Sequence, residues 1–393
     1  MKRENLLLIA IILLGLNLRP VLAAIGPLLD RIQLDTGLDH VGASLLTSLP
    51  VVIMGLGALA SGPLRRRLGD SAGIFLGTLL IAFACLLRGV LPDGNTLIIS
   101  ALLAGAGIAF VQALLPGLIK SRFAADSGRL IGFYSCAIMA GAAFGAAFTP
   151  WLAQSVGWSW ALAGWALPAL LGAALWRRAA PAKPAKPAAA PIATPPLAPW
   201  RWPRAWLLMS FFGIGTAGYT LVLAWLPPYY TALGWSAQAS GLLLAALTLC
   251  EVVAGLLLSS LLSRFPDRRP LLALVLLSLL AGLIVLQLAP QTLVVLVALL
   301  LGVGIGGLFP LSLVVAQDHL EDPQQTGELL AFVQGGGYLI AACAPVLAGV
   351  LRRYSTDLSL SWQLMALATV LLMAMAVRFS PNHQRRPLGV ATD

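Results

Sequence analysis

The sequence predicts an all-α membrane protein whose twelve transmembrane helices form two pseudo-symmetric six-helix bundles. Three observations carry this. Of the 393 residues, 59% are hydrophobic and only 10% charged. Soluble domains carry about 25% charged residues, so this chain cannot cover a water-facing surface. Twelve apolar stretches reach the roughly 20 residues that a helix needs to cross the hydrocarbon. The first six of these stretches resemble the last six.

The expected spans are 6–29, 42–63, 72–91, 96–119, 129–153, 158–176, 205–230, 238–262, 270–289, 291–316, 327–350 and 360–379. Lys2 and Arg3 precede the first run. It continues to Leu29, longer than the roughly 7–15 residues of a signal-peptide core, so it is expected to remain as span 1. Between spans 6 and 7 lies "RRAAPAKPAKPAAAPIATPPLAPWRWPR", 177–204. Repeated Pro makes it an extended, semi-rigid linker. The expected organisation is therefore an N-terminal bundle 1–176, a linker 177–204, a C-terminal bundle 205–380 and a tail 381–393.

Charge sets the orientation. With the N-terminus inside, twenty lysines and arginines fall in cytoplasmic segments; the outer loops hold Arg31, Arg352 and Arg353. That bias places both termini and the linker in the cytoplasm. The acidic loop "DHLEDPQQTGE", 318–328, dissents, but acidic residues weigh little in this rule. The net charge of +10 reads as orientation, with the lipid bilayer as partner and no nucleic acid.

The halves align in one register. Residues 44–70 match 241–267 at a shift of 197, including Leu59/Leu256, Arg67/Arg264 and Asp70/Asp267. The same shift pairs "LLAGAGI" (102–108) with "LLLGVGI" (299–305), and a shift of 199 pairs "RLIGF" (129–133) with "ELLAF" (328–332). A six-span repeat in one orientation puts two bundles around an axis normal to the membrane.

The segments "GLNLRPVLAAIGPLLDRI", "LLTSLPVVIMG", "LLRGVLP", "LLPGLIKSRF" and "FTPWLAQ", with twelve spans and a central basic loop, resemble the major facilitator superfamily. Within it they resemble the cyanate transporter and 2-nitroimidazole transporter family. "LFPLSLVVAQDH" favours the cyanate side. The resemblance implies a multi-pass transporter of the bacterial inner membrane, acting as a monomer on a small molecule, with spans 1, 4, 7 and 10 lining a central cavity. The superfamily loop G-x-L-x-D-R-x-G-R-R departs here to "GPLRRRLGDS", with Arg66 at the Asp position. The span 5 glycine pattern "GAAFGAAFTP" gives no support to a drug/proton antiporter.

Three ionised groups fall inside spans: Arg19, Arg88 and Glu251. Insertion scales put such residues at about 2.5–3.5 kcal/mol near a helix centre, so they face a cavity or a partner. Arg19 reads as the cationic anchor for a small anion; the competing reading ties it to backbone carbonyls freed by Pro20. Asn17 joins the candidate set. It is about 200° around the helix from Arg19 and shares its face only if the helix unwinds at Pro20. Arg88, near the outer end of span 3, reads first as structural, snorkelling to the interface or bracing span 2, with a coupling or ion-pair role as the alternative. Glu251 has three readings: an ion pair with an Arg, a proton carrier, or a neutral hydrogen-bond donor. Gln112, Tyr134, Tyr219, Gln334 and Tyr338 are mid-span polar groups that lipid cannot satisfy, and so complete the candidate pocket.

Trp151, Trp158, Trp160 and Tyr229 read as interface belts. Cys85, Cys136, Cys250 and Cys343 read as packing residues, without disulfide or metal spacing. His40, His319 and His383 are isolated in loops or tails. The glycine stripes "AGAGIAF", "GVGIGG" and "GAAFGAA" let helices approach closely and are no dinucleotide loop, which needs a strand before it. No catalytic, metal or cofactor motif is present. The expected function is secondary active transport of a small anion such as cyanate by alternating access. The alternative is transport of a neutral planar heterocycle such as 2-nitroimidazole; an anion channel ranks below both.

Overall fold

The computed structural model describes residues 3–123, 126–180, 197–262, 264–320, 322–354 and 358–380. Side chains of residues 3, 4, 63–66, 128 and 323 lie outside that description. Arg66 is therefore outside it, as are most of the linker, 181–196, and the tail, 381–393.

Twelve helices among the described residues are long and apolar enough to cross a membrane: Asn5–Thr36, His40–Leu59, Asp70–Val90, Gly94–Arg122, Arg129–Val156, Trp158–Ala179, Pro203–Ala232, Ala237–Leu261, Arg269–Leu288, Val294–Gln317, Gln324–Tyr354 and Ser359–Ala376. They are spans 1 to 12. The face holding the N-terminal end of span 1 is called the inner face below, and the opposite one the outer face. Helices suit lipid because every backbone bond closes within the segment. Large apolar side chains such as Leu167, Val295 and Leu367 are exposed on the surface that lipid would cover.

Several starts are capped on the outer face. The Asp39 carboxylate accepts from the Gly42 N–H at 2.7 Å, and Asp93 accepts from the Thr96 N–H at 3.1 Å. Each satisfies an N–H that the first turn leaves without an intrahelical partner.

Several boundaries shift by a few residues, and two of the shifts add structure. Span 2 ends at Leu59 and a separate helix, Ser61–Leu68, follows. Span 1 runs to Thr36, beyond the expected 29, because "LDRIQLDT" continues as an amphipathic helix. Arg31 accordingly sits on that helix, bonding Asp35 at 3.0 Å.

Packing repeats between the halves, as the duplication requires. Span 1 packs on spans 5 and 6, and span 7 on spans 11 and 12. Spans 2 and 4 pair as spans 8 and 10 do; span 3 packs on spans 4 and 6, and span 9 on spans 10 and 12. The halves meet along two seams, span 2 with span 11 and span 5 with span 8, which the pseudo-twofold interchanges.

The outer ends of the seams are closed. Asp39, before span 2, pairs with Arg353 at the end of span 11. The Thr231 hydroxyl of span 7 donates to Asp30 of span 1. Gln238 of span 8 donates to the Pro150 carbonyl of span 5 at 3.2 Å. Within the C-terminal half, the Arg352 guanidinium of span 11 lies 5.3 Å over the Trp225 ring of span 7.

Candidate functional site

The site begins with a proline. Pro20 has no N–H and its ring crowds the carbonyl four residues back, that of Leu16. The span 1 helix stops at Asn17 and restarts at Pro20, leaving Arg19 at the hinge. A neighbour admits the released Leu16 carbonyl. A Cβ at Gly141 of span 5 would lie 2.0 Å from the Leu16 oxygen, and one at Gly145 would lie 2.8 Å from the Pro20 Cα. Two glycines one helical turn apart therefore bracket the residue that carries the charge.

Arg19 is 5% exposed and lines a cavity of about 340 Å³ between the halves. Its guanidinium lies 5.4 Å from the Tyr219 ring centroid, an arrangement worth about 0.5–2 kcal/mol. Its Nε is buried and has no hydrogen-bond partner. No ion pair within 4 Å joins it to Glu251 among the described residues. The carbonyl-tied reading of Arg19 thus gains no support from this arrangement.

Gln112, Tyr219, Tyr338 and Glu251 line the same cavity. From the level of these groups it runs toward the inner ends of spans 5 and 8, where Gly132, Ser135 and Ser259 are exposed. With the outer seams closed, the cavity opens to the inner face.

Other candidates lie elsewhere. Asn17 is buried, and its amide donates to the carbonyls of Leu13 (2.7 Å) and Pro168 of span 6 (3.1 Å). The helix does unwind at Pro20, but the hinge leaves Asn17 holding span 6, away from the cavity. Gln334, one turn before Tyr338, is half-buried and outside the lining. Tyr134 is buried behind the lining, near enough to feel the Arg19 charge, and its hydroxyl has no partner.

Arg88 is fully buried; it donates to the Ser100 hydroxyl at 2.9 Å and the Val21 carbonyl at 2.8 Å. It neither reaches the interface nor braces span 2. It ties spans 3 and 4 to the irregular part of span 1. Hydrogen bonds to charged groups contribute about 1.5–3 kcal/mol each. Arg88→Ala is therefore expected to lower stability by roughly 3–6 kcal/mol, read as a fall in Tm by thermal denaturation in detergent.

Sequence reasoning missed Thr216. It lines the cavity, and its hydroxyl is buried without a partner. The signal was present: Thr216, Tyr219 and Thr220 stand at i, i+3 and i+4 and so share one face of span 7. The Thr220 hydroxyl instead donates to the Ala341 carbonyl at 2.8 Å. Cys136 lines the cavity rather than packing in the core.

Trp158 is no belt residue: it is buried, and its indole donates to Asp35 at 2.7 Å. Tyr229 donates to the Leu286 carbonyl at 3.2 Å, whereas Trp151 and Trp160 are exposed as a belt requires. His319 is buried, not isolated. Its Nε2 accepts from Arg204 at 3.1 Å while Nδ1 lies 2.6 Å from the Val315 carbonyl. Burial holds its ring below the usual histidine range.

The chain matches the family model described as Major Facilitator Superfamily over residues 7–345 and 230–392. It is 42% identical to the cyanate transport protein CynX of Escherichia coli (strain K12), over 95% of this chain and 97% of that protein. It is 30% identical to the 2-nitroimidazole transporter of the same organism, over 96% and 95%. Among solved structures it superposes on the D-xylose–proton symporter with a TM-score of 0.80 at 17% identity, covering 98% of this chain and 100% of the other. That likeness speaks for the fold. The family match and the two relatives show that this chain belongs to the Major Facilitator Superfamily.

Proposed function

We propose that the chain is a secondary active transporter that moves cyanate, or a small anion of similar shape, across the bacterial inner membrane by alternating access. One observation carries the reading: the Arg19 guanidinium lines the chamber between the halves with a donor left unpaired. Buried donors without partners are costly, and an anion supplies the missing acceptor and charge. The Thr216 and Tyr219 hydroxyls, also unpartnered, add donors that would close around a small ligand. The 42% identity to a cyanate transport protein supports this choice of anion. Arg19, Tyr219, Thr216 and Gln112 are the proposed contacts; no bond of the substrate is made or broken, so no enzyme activity is assigned.

A second reading has its own observation. The rings of Tyr219, Tyr338 and Phe309 line the same chamber and would stack on a neutral planar heterocycle such as 2-nitroimidazole. Binding of cyanate, nitrite, nitrate, small carboxylates and 2-nitroimidazole to the purified protein separates the two. Saturable cyanate binding with none by 2-nitroimidazole is expected; the reverse pattern overturns the anion reading.

The transport unit is proposed to be one chain, since its own two halves enclose the chamber. The bundles 1–176 and 205–380 would rock about it, joined by a cytoplasmic linker 177–204, with the tail 381–393 also inside. Topology is checked by cysteine labelling in a cysteine-free background. An impermeant maleimide on intact cells is expected to label Asn95→Cys, at the exposed outer start of span 4, and not Ala190→Cys in the linker. The opposite pattern inverts the orientation.

A further inference from the structure

Two charged side chains among the described residues line the chamber, Arg19 and Glu251. Glu251 is 5% exposed and sits near the middle of span 8. No cation lies within ion-pair distance of it among the described residues. We infer that Glu251 takes up one proton from the aqueous phase whenever an anion binds beside Arg19, so that anion and proton cross together and the loaded chamber is neutral. The inference rests on the anion reading of the site and adds the ion that accompanies the substrate.

The argument is a count of charge. With both side chains ionised the lining is neutral. An anion arriving then leaves the chamber at −1, with the Glu251 carboxylate and the anion repelling in a space poor in water. A protonated Glu251 gives +1 before binding and 0 after it. Occluding net charge from water is costly in low dielectric. Two states therefore occlude readily: the empty chamber with Arg19 and Glu251 both ionised, and the chamber holding both anion and proton. Anion alone or proton alone leaves net charge, which is the physical basis for coupling the two. The proton adds to a carboxylate oxygen to form the neutral acid and leaves it again on release; no other bond changes.

No other group competes for the role. Besides Arg19 of span 1, the titratable groups of the lining are Tyr219 of span 7, Tyr338 of span 11 and Cys136 of span 5, with Cys250 next to Glu251 on its own helix and Tyr134 buried behind the lining. Tyr and Cys are ordinarily uncharged near neutral pH. The lining residues from spans 2, 4 and 10 do not ionise. Arg129, at the inner end of span 5, lies over the Phe133 ring and outside the lining.

The test uses the full-length purified protein with cyanate as probe. In weak buffer at a pH alkaline enough to keep Glu251 ionised in the empty chamber, pH-matched cyanate is expected to cause uptake of about one proton per anion bound, whereas chloride causes none. In proteoliposomes, an inside-alkaline gradient of one pH unit is expected to drive about tenfold accumulation. A potassium diffusion potential of either sign is expected to leave initial uptake unchanged. Glu251→Gln is expected to lose both the proton uptake and the gradient-driven accumulation. Cyanate binding with no proton taken up, or uptake driven by the potential and not by the pH gradient, overturns the inference while leaving the anion reading intact. Absence of cyanate binding at every pH overturns both. The wild-type stoichiometry decides the matter even if the variant fails to fold.

Discussion

Arg19→Ala is expected to fold and to lose cyanate affinity by about thirtyfold or more. Removing one partner of a buried, hydrogen-bonded charge pair costs about 2–5 kcal/mol, which is roughly 30- to 5000-fold in Kd. Arg19→Lys should keep part of the affinity, since it retains the charge but not the planar fork. A structural arginine would behave differently. Arg19 has an unpaired Nε and no ion pair with Glu251, so the protein contact that Arg19→Ala gives up is the one over the Tyr219 ring, about 0.5–2 kcal/mol, too little to abolish the folded yield. If both variants lose yield, the anchor reading fails. If Arg19 and Glu251 depend on each other as a pair, the double neutral variant should fold better than either single one, because no lone buried charge remains. Equilibrium binding to purified Arg19→Ala settles the point. Affinity unchanged within about threefold, under roughly 0.7 kcal/mol, removes Arg19 from the substrate site.

The buried arginine of span 1 was legible because its cost is local. A guanidinium inside an apolar run needs a cavity or a partner whatever the tertiary structure, and Pro20 marks a helix break from the sequence alone. The duplication was legible for a similar reason: one register persists across three spans, and the packing of spans 1–6 recurs in spans 7–12. What stayed hidden depends on directions that a hinge or a neighbour sets. Asn17 turns to the Pro168 carbonyl because of how the chain leaves a two-residue break, which helical periodicity cannot describe. Arg88 is satisfied by the Val21 carbonyl, an acceptor within the irregular part of span 1. Gln334 and Tyr338 share a helix face by spacing, yet only Tyr338 reaches the lining, because toward the inner face the chamber follows spans 5 and 8 rather than span 11. Trp158 looked like a belt residue until Asp35, on the unexpected extension of span 1, gave its indole a partner.

Gly141→Ala is expected to reduce cyanate uptake by roughly a hundredfold although Gly141 is not itself part of the chamber lining. The span 1 helix breaks at Pro20, and the carbonyl this releases, that of Leu16, points at span 5. A Cβ at Gly141 would meet that oxygen at 2.0 Å, the Leu16 carbonyl carbon at 2.8 Å and its Cα at 3.1 Å. Ordinary contacts between heavy atoms lie near 3.5–4.0 Å, so the two helices must separate by roughly 1 Å or more. The obstacle is backbone, which no rotamer change relieves, and overpacking of this kind typically costs about 1–3 kcal/mol. The separation falls on the hinge that carries Arg19, three residues beyond Leu16. Misplacing a binding group by about 1 Å can cost a hundredfold in rate, so transport should fall further than stability does. Gly327→Ala on span 11 serves as control, because a Cβ there meets nothing within 4 Å. Initial uptake into proteoliposomes at matched protein density, with thermal denaturation of each variant beside it, separates the two effects. If Gly141→Ala transports like Gly327→Ala, the tight seating of Leu16 against span 5 does not position Arg19, and the account of the hinge given above is wrong.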